Sequence, residues 1–322
     1  MDMYMFYFIL QRTMFFTIPL LIVALGGLFS EKSGIVNIAL EGKMVLGAFT
    51  GVMFMRTIQG SENFLANNPT ALLLVTLVVA AATGVGTSLL HAFASINLKA
   101  NQIISGVAIN MFAPAFAVFY SIYSTGNQNV FFFNQFMIDS VPGLGRIPFI
   151  GPILFQGAYI TTYLGFVILV ISVIVLYKTK FGLRLRACGE HPHAADSVGV
   201  SVIKMRYAGV LISGGLAGMG GLIWAIPSSL FAGAVNGYGF LALAVLIFGA
   251  WKPQRILIAA LFFGFMQTIA ATHTAINILP NAIPAQFYRM LPFIATLIIL
   301  AFTSKNTMAP KALGQPYDKG GR

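Results

Sequence analysis

The chain has 322 residues, of which 58% are hydrophobic and only 8% charged, whereas a soluble domain is about a quarter charged. That composition cannot build a water-facing surface, and with a mean hydropathy of +0.85 it excludes a soluble enzyme, a secreted module and a disordered protein. A net charge of +11 would suggest nucleic acid in a soluble protein; here the basic residues report membrane topology, and no nucleic-acid partner is expected.

Apolar runs of about twenty residues, the length that crosses a hydrocarbon core, recur along the chain. They predict an all-α fold, a polytopic bundle of about eight to ten transmembrane helices. The opening residues MDMYMFYFILQR lack a basic n-region, and no small-residue cleavage pattern closes the first apolar run, so the first span, Thr13 to Ser30, is expected to be retained. The next segment, SGIVNIALEG at Ser33 to Gly42, is apolar but too short to span, which makes it a half-helix or the start of a broken one. Further spans are predicted at Lys43 to Met55, Thr70 to Ala94, Ile103 to Tyr123, Ala158 to Tyr177, Ala208 to Leu230, Tyr238 to Ala250, Ile256 to Ala275 and Tyr288 to Thr303. The membrane domain is thus residues 1–304, and the tail 305–322, rich in Gly, Pro and Lys, reads as disordered.

Orientation follows from Lys178, Lys180, Arg184, Arg186, Lys204 and Arg206, which face only Glu190 and Asp196 in the loop 178–207. The positive-inside rule puts that loop in the cytoplasm and the segment 124–157 outside. The side of the amino terminus stays open, because it depends on whether Ser33 to Gly42 completes a crossing. Outside, Phe131, Phe132 and Phe133 are expected to meet the interface, as an anchor or as part of a docking platform.

Polar groups inside spans are costly and therefore candidates for function. If SGIVNIALEG is helical, Asn37 and Glu41 stand at i and i+4 on one face, either as a gate or pathway lining or as a lock on a half-helix. Glu31, Lys32 and Lys43 flank that segment and could pair near the cytoplasmic face, a surface interaction of about 1 kcal/mol or less. Gln102, Asn110 and Gln267 are further pathway candidates, and Phe112, Phe116 and Trp224 offer aromatic surface. Gly214-x-x-x-Gly218 has the spacing that lets helix backbones approach closely in lipid. The pair His191 and His193 has only Cys188 or Glu190 as a neighbouring ligand, so no metal is expected. With one cysteine there is no internal disulfide. No GxxxxGK[ST] loop occurs and no polar stretch is long enough for a soluble domain, so this chain is not read as an enzyme. In the cytoplasmic loop, a basic strip leads to Gly189 and a Pro-bounded turn, then a short helix from His193 to Ser197 ended by Gly199. Such a short surface helix between two spans reads either as a docking element or as part of an ordinary positive-inside loop.

Three blocks carry a family resemblance: GGLFSEKSGIVNIALEGKMVLGAF at Gly26 to Phe49, RACGEHPHAADSVGV from Arg186, and ISGGLAGMGG at Ile212 to Gly221. In the same order along most of the chain, they resemble permease subunits of ATP-binding cassette importers. The branch is the branched-chain-amino-acid-like one with ribose, simple-sugar and nucleoside permeases, and FSEKSGIVNIALEG is most similar to the shorter permease of bacterial purine nucleoside importers. The resemblance implies a multi-pass protein of the bacterial cytoplasmic membrane that moves nucleosides by alternating access. Simple sugars such as ribose are the alternative substrates, and an ion-coupled secondary transporter, which would need buried acidic groups, is a more distant one. It also implies a second permease subunit (homo- or heterodimer), a cytoplasmic ATPase that uses the ATP and magnesium, and an extracellular or lipid-anchored binding protein; this chain itself holds no cofactor. The ATPase-docking role falls on Glu190, Pro192, Ala194, Ala195, Asp196 and Gly199. His191 and His193 stand where relatives often carry Asn and Arg, so polar contacts of those two side chains do not carry over.

Overall fold

The computed structural model describes residues 3–62, 64–273, 284–303 and 308–319. The helices are α1 (Met3–Lys32), α2 (Leu40–Gln59), α3 (Pro69–Ala92), α4 (Gln102–Thr125), α5 (Ile160–Lys178), α6 (Lys180–Glu190), α7 (Pro192–Ser197), α8 (Val202–Ala225), α9 (Tyr238–Phe248), α10 (Pro253–Thr272) and α11 (Ala285–Thr303). Six of these (α1, α3, α4, α5, α8 and α10) are long and apolar enough to cross a membrane, while α9 is only half that length. The expected polytopic helical bundle is what forms. The predicted end of the eighth span, Ala275, lies outside the described residues.

The bundle is organised around α1 and α8. In α1 every residue from Leu20 to Leu25 is fully buried, and α8 packs on α1, α2 and α3 at once. Three neighbours fit around one helix because α8 presents glycines in three directions. A Cβ at Gly218 would overlap the Ala80 backbone of α3, one at Gly221 the Met44 backbone of α2, and one at Gly220 the Val23 side chain of α1. Lipid tails supply no hydrophobic drive between helices, so close backbone approach through small residues is the main source of packing energy there.

Outside the bundle, two short antiparallel pairs join distant parts of the chain: β1 (Val130–Phe131) with β4 (Leu230–Phe231), and β2 (Met137–Ser140) with β3 (Gln156–Tyr159). Extended backbone alternates its side chains, so Phe132 is buried while Phe131 and Phe133 point outward. Gln11 near the start of α1 donates to the carbonyls of Pro152 and Gln156, whereas the end of α1 abuts Gly189 of the basic loop. The amino-terminal end of α1 therefore lies on the face of residues 124–157, opposite the basic loop, which fixes the parity left open by the sequence.

Three expectations need correction. The loop 178–207 is mostly helix: α6 occupies its first part, and α8 begins at Val202, so Lys204 and Arg206 sit on the first turns of a span. Arg206 is buried rather than solvated. The tail read as disordered is folded back over residues 308–319, where Ala312 and Tyr317 are buried; Lys305 and Arg322 lie outside the described residues. Its anchoring comes from backbone hydrogen bonds, which composition does not register.

Candidate functional site

Between α1 and α2 the chain leaves the helix over residues 33–39, with Gly34 in the left-handed region at φ +94. Such a break exposes backbone polar groups that must be satisfied locally when no water can reach them. Side chains from α3 and α4 do this. The Val36 N–H donates to Gln102 Oε1 at 2.8 Å. Asn110 donates through Nδ2 to the Ile38 carbonyl at 2.9 Å and accepts the Gly42 N–H at 2.7 Å. The ring of His91, fully buried, lies 3.1 Å from the Val36 carbonyl through Nε2 and 3.0 Å from Ser105 Oγ through Nδ1. A carbonyl only accepts, so Nε2 carries the proton and Nδ1 takes the hydroxyl of Ser105.

Asn37 occupies the middle of the break, fully buried. Its Nδ2 donates to Ser213 Oγ of α8 at 2.7 Å, and its Oδ1 accepts from Lys43 Nζ at 2.8 Å. The Lys43 side chain is itself fully buried, and its terminal nitrogen is tolerable there only with such a partner.

A second break faces the first. After β4 the chain bends at Gly233, at φ +83, and turns at Asn236 and Gly237, at φ +53 and +80, and α9 starts there. Glu41, in the first turn of α2, accepts the N–H groups of Gly237 at 2.9 Å and Gly239 at 2.6 Å. A helix start leaves four N–H groups unpaired and carries partial positive charge, so a carboxylate there both pairs and neutralises it. Gly239 has no room for a Cβ because the Glu41 backbone occupies that space. The N-termini of two discontinuous helices thus meet inside the bundle. Beyond the far end of α9, Trp251 Nε1 donates to Glu31.

Of the pathway candidates, Asn37, Glu41, Gln102 and Asn110 converge on these two breaks. Phe112 does not: it is exposed on α4 and stacks on Phe116, with ring centroids 5.5 Å apart. Gln267 is half-buried on α10, which packs mainly on α1 and α11. Asn37 and Glu41 do not share a helix face, because helix begins only at Leu40; each bonds a different part of the chain. Lys43 and Glu31 do not form the expected surface pair. Lys43, Ser213 and His91 are the members that sequence reasoning missed as a unit. A lysine inside an otherwise apolar run was the available signal, since an intramembrane cation needs a partner.

The basic face carries the second arrangement. Thr179 caps α6 by accepting the Gly182 N–H at 3.1 Å, and Ser201 caps α8. Between them, Pro192 occupies the first helical position of α7, where its missing N–H costs nothing. Gly199 at φ +80 ends the segment, its N–H donating to the Asp196 carbonyl. Ala195 turns inward at 4% exposure, while Ala194, Gly199 and Val198, the last 77% exposed, face outward. Pro192, Glu190 and Asp196 are intermediate. His191 and His193 are exposed, and among the described residues no three His, Cys, Asp or Glu side chains group as metal ligands. Gly214 and Gly218, on α8, face α3 rather than this surface.

Beneath α7, Cys188 is fully buried, and burial pushes its thiol up to about 11. It is therefore protonated at neutral pH, and N-ethylmaleimide should label it in the folded protein more than about ten-fold slower than a free thiol. Rapid labelling followed by mass spectrometry would show that the cluster beneath α7 is open.

Two breaks in a multi-pass bundle, meeting through half-helix N-termini and lying above a short surface helix on the basic face, describe a transporter-like membrane protein. The model for the branched-chain amino acid transport system permease component matches residues 9–300. The guanosine ABC transporter permease protein NupQ of Bacillus subtilis is 43% identical over 98% of this chain and 97% of its own length. The nucleoside ABC transporter permease protein NupC of Lactococcus lactis is 39% identical over 97% of this chain and 96% of its own. A more distant relative in Bacillus subtilis, the guanosine ABC transporter permease protein NupP, is 24% identical over 94% of this chain. No solved structure matches. The chain belongs to the branched-chain amino acid transport system permease family.

Proposed function

We propose that this chain is the membrane-spanning permease subunit of an ATP-binding cassette importer for nucleosides, purine nucleosides first. The observation that carries this is full-length similarity to two permeases named for guanosine and nucleoside transport. The presence in one organism of two matching guanosine permeases of unequal similarity supports pairing with a second, different permease. The remaining partners are a cytoplasmic ATPase, which uses the ATP and magnesium, and an extracellular or lipid-anchored binding protein.

In this reading the ATPase docks on α7 and its flanks, using Glu190, Pro192, Ala194, Asp196 and Gly199, while Ala195, turned inward, seats α7 on the bundle. Closure of the ATPase moves α7, the paired permeases open outward to accept substrate, and hydrolysis resets them in the cytoplasmic membrane. Asn37, Glu41, Gln102 and Asn110 act by holding the two breaks, because nearly all of their polar atoms already bond the protein's own chain.

The test is uptake of a labelled purine nucleoside in cells with and without the gene, with unlabelled nucleosides or ribose competing. Loss on deletion, restored by the gene and blocked by nucleosides alone, supports the reading; competition by ribose instead moves the substrate to sugars. Asp196→Arg and Gly199→Pro should each lower uptake about ten-fold or more at unchanged membrane levels. The first reverses a charge on the docking helix, and the second imposes φ near −65° where the chain needs +80. Normal uptake by both variants would remove the docking assignment.

A further inference from the structure

The folded-back tail touches the two places that alternating access must connect. Ala312 N–H donates to the Gly189 carbonyl at 2.9 Å, and Gly314 N–H donates to the Gly34 carbonyl at 3.0 Å. Gly189 ends the basic strip before α7, and Gly34 opens the break between α1 and α2. The two are already in contact, since a Cβ at Gly189 would meet the Lys32 carbonyl and the Gly34 nitrogen. One turn of the tail therefore bonds across their junction. Gly314 itself is left-handed at φ +78, a conformation that keeps both donors aimed and that a β-branched residue would not hold.

Side chains fasten the turn at both ends. Before it, the Lys311 N–H approaches Glu190 Oε2 at 3.4 Å. After it, the buried Arg206 of α8 donates through Nη1 to the Gln315 carbonyl at 3.0 Å, which gives this guanidinium a reason to be inside. Tyr317 then enters the apolar cluster of Cys188, Ala195 and Val202 beneath α7, with the His193 ring 5.2 Å away. Lys99 and Asp318 close the path with an exposed ion pair of 2.9 Å, a weak contact at such exposure.

We propose that residues 309–318 form a strap that makes the docking helix α7 and the broken segment 33–39 move as one body, so that ATPase closure is transmitted to the break. The inference rests on the docking role given to α7. Without the strap, α7 reaches the break only indirectly, through the Gly189 contact of α6 and through α8, which packs beside α7 and bonds Asn37 of the break through Ser213, so that less of its motion arrives there.

The experiment uses the assembled importer, purified through a tag on the ATPase and reconstituted in liposomes, with four chains compared: wild type, Tyr317→Ala, Tyr317→Phe and Gly314→Val. Tyr317→Ala removes the ring from the cluster, Tyr317→Phe keeps it, and Gly314→Val disturbs the turn independently. Nucleoside transported per ATP hydrolysed should fall about ten-fold in the alanine and valine variants, a coupling change of ordinary size for linked sites. The ATPase should still co-purify and hydrolyse ATP, Tyr317→Phe should match wild type, and Cys188 should label faster in Tyr317→Ala. Unchanged transport per ATP in both disrupted variants overturns the strap alone. Loss of the ATPase from both also overturns it, since the tail would then belong to the docking surface. A wild-type chain that captures no ATPase overturns the docking reading, and the strap with it.

Discussion

Gly84→Val is expected to remove most folded protein from the membrane, leaving monodisperse material after detergent extraction below about a tenth of wild type. A Cβ at Gly84 of α3 would overlap the Gly214 carbonyl of α8 and stand 3.1 Å from the Gly218 nitrogen. Extra methylene groups in a packed core cost about 1–3 kcal/mol where side chains can yield. Here the obstacle is backbone, so α3 and α8 must separate along their length, and α2, which packs on both, loses its seat as well. The control lies two residues away: Gly86 is exposed, and a Cβ there meets nothing within 4 Å. Gly86→Val should remain near wild type by size-exclusion chromatography and uptake. Equal loss in the two variants would mean that helix propensity rather than the α3–α8 contact is being measured.

That contact was half legible in the sequence. The spacing of Gly214 and Gly218 announces a close helix approach, but nothing local says that Ala80, Gly84 and Ser88 receive it. The docking segment was more legible, because Pro192 and Gly199 are short-range turn chemistry and placed α7 to within a residue or so. The break at residues 33–39 was less so. SGIVNIALEG has the apolar pattern of a helix, and what opens it is a set of partners far away in sequence: Gln102, Asn110, His91 and Ser213. The pairing of Glu41 with Gly237 spans 196 positions, beyond any periodicity argument. The tail misled for a related reason, since Gly and Pro lower the propensity for helix without preventing backbone N–H groups from finding carbonyls on the bundle.

Glu41→Ala is expected to cost the protein more than any other single removal of a polar side chain. It strips the acceptor from the Gly237 and Gly239 N–H groups, and each buried donor left unpaired costs about 1–3 kcal/mol. It also removes the negative charge from the positive end of α9, a further loss of about 0.3–1 kcal/mol or more in a partly buried site. Water cannot easily repair the site, because the Gly239 Cα and the Glu41 backbone are packed together. Glu41→Gln separates capping from substrate contact: its single oxygen can serve one N–H well, while its amide turns a donor toward the other. The amount of folded protein should therefore rank wild type, then Gln, then Ala. If Glu41 acts by capping α9, uptake per folded molecule by the Gln variant keeps the wild-type KM within about two-fold, because uniform loss of active protein changes only the maximal rate. A KM raised about ten-fold at normal protein levels would instead show that the carboxylate contacts the substrate. The two N-termini would then form part of the permeation pathway rather than its frame.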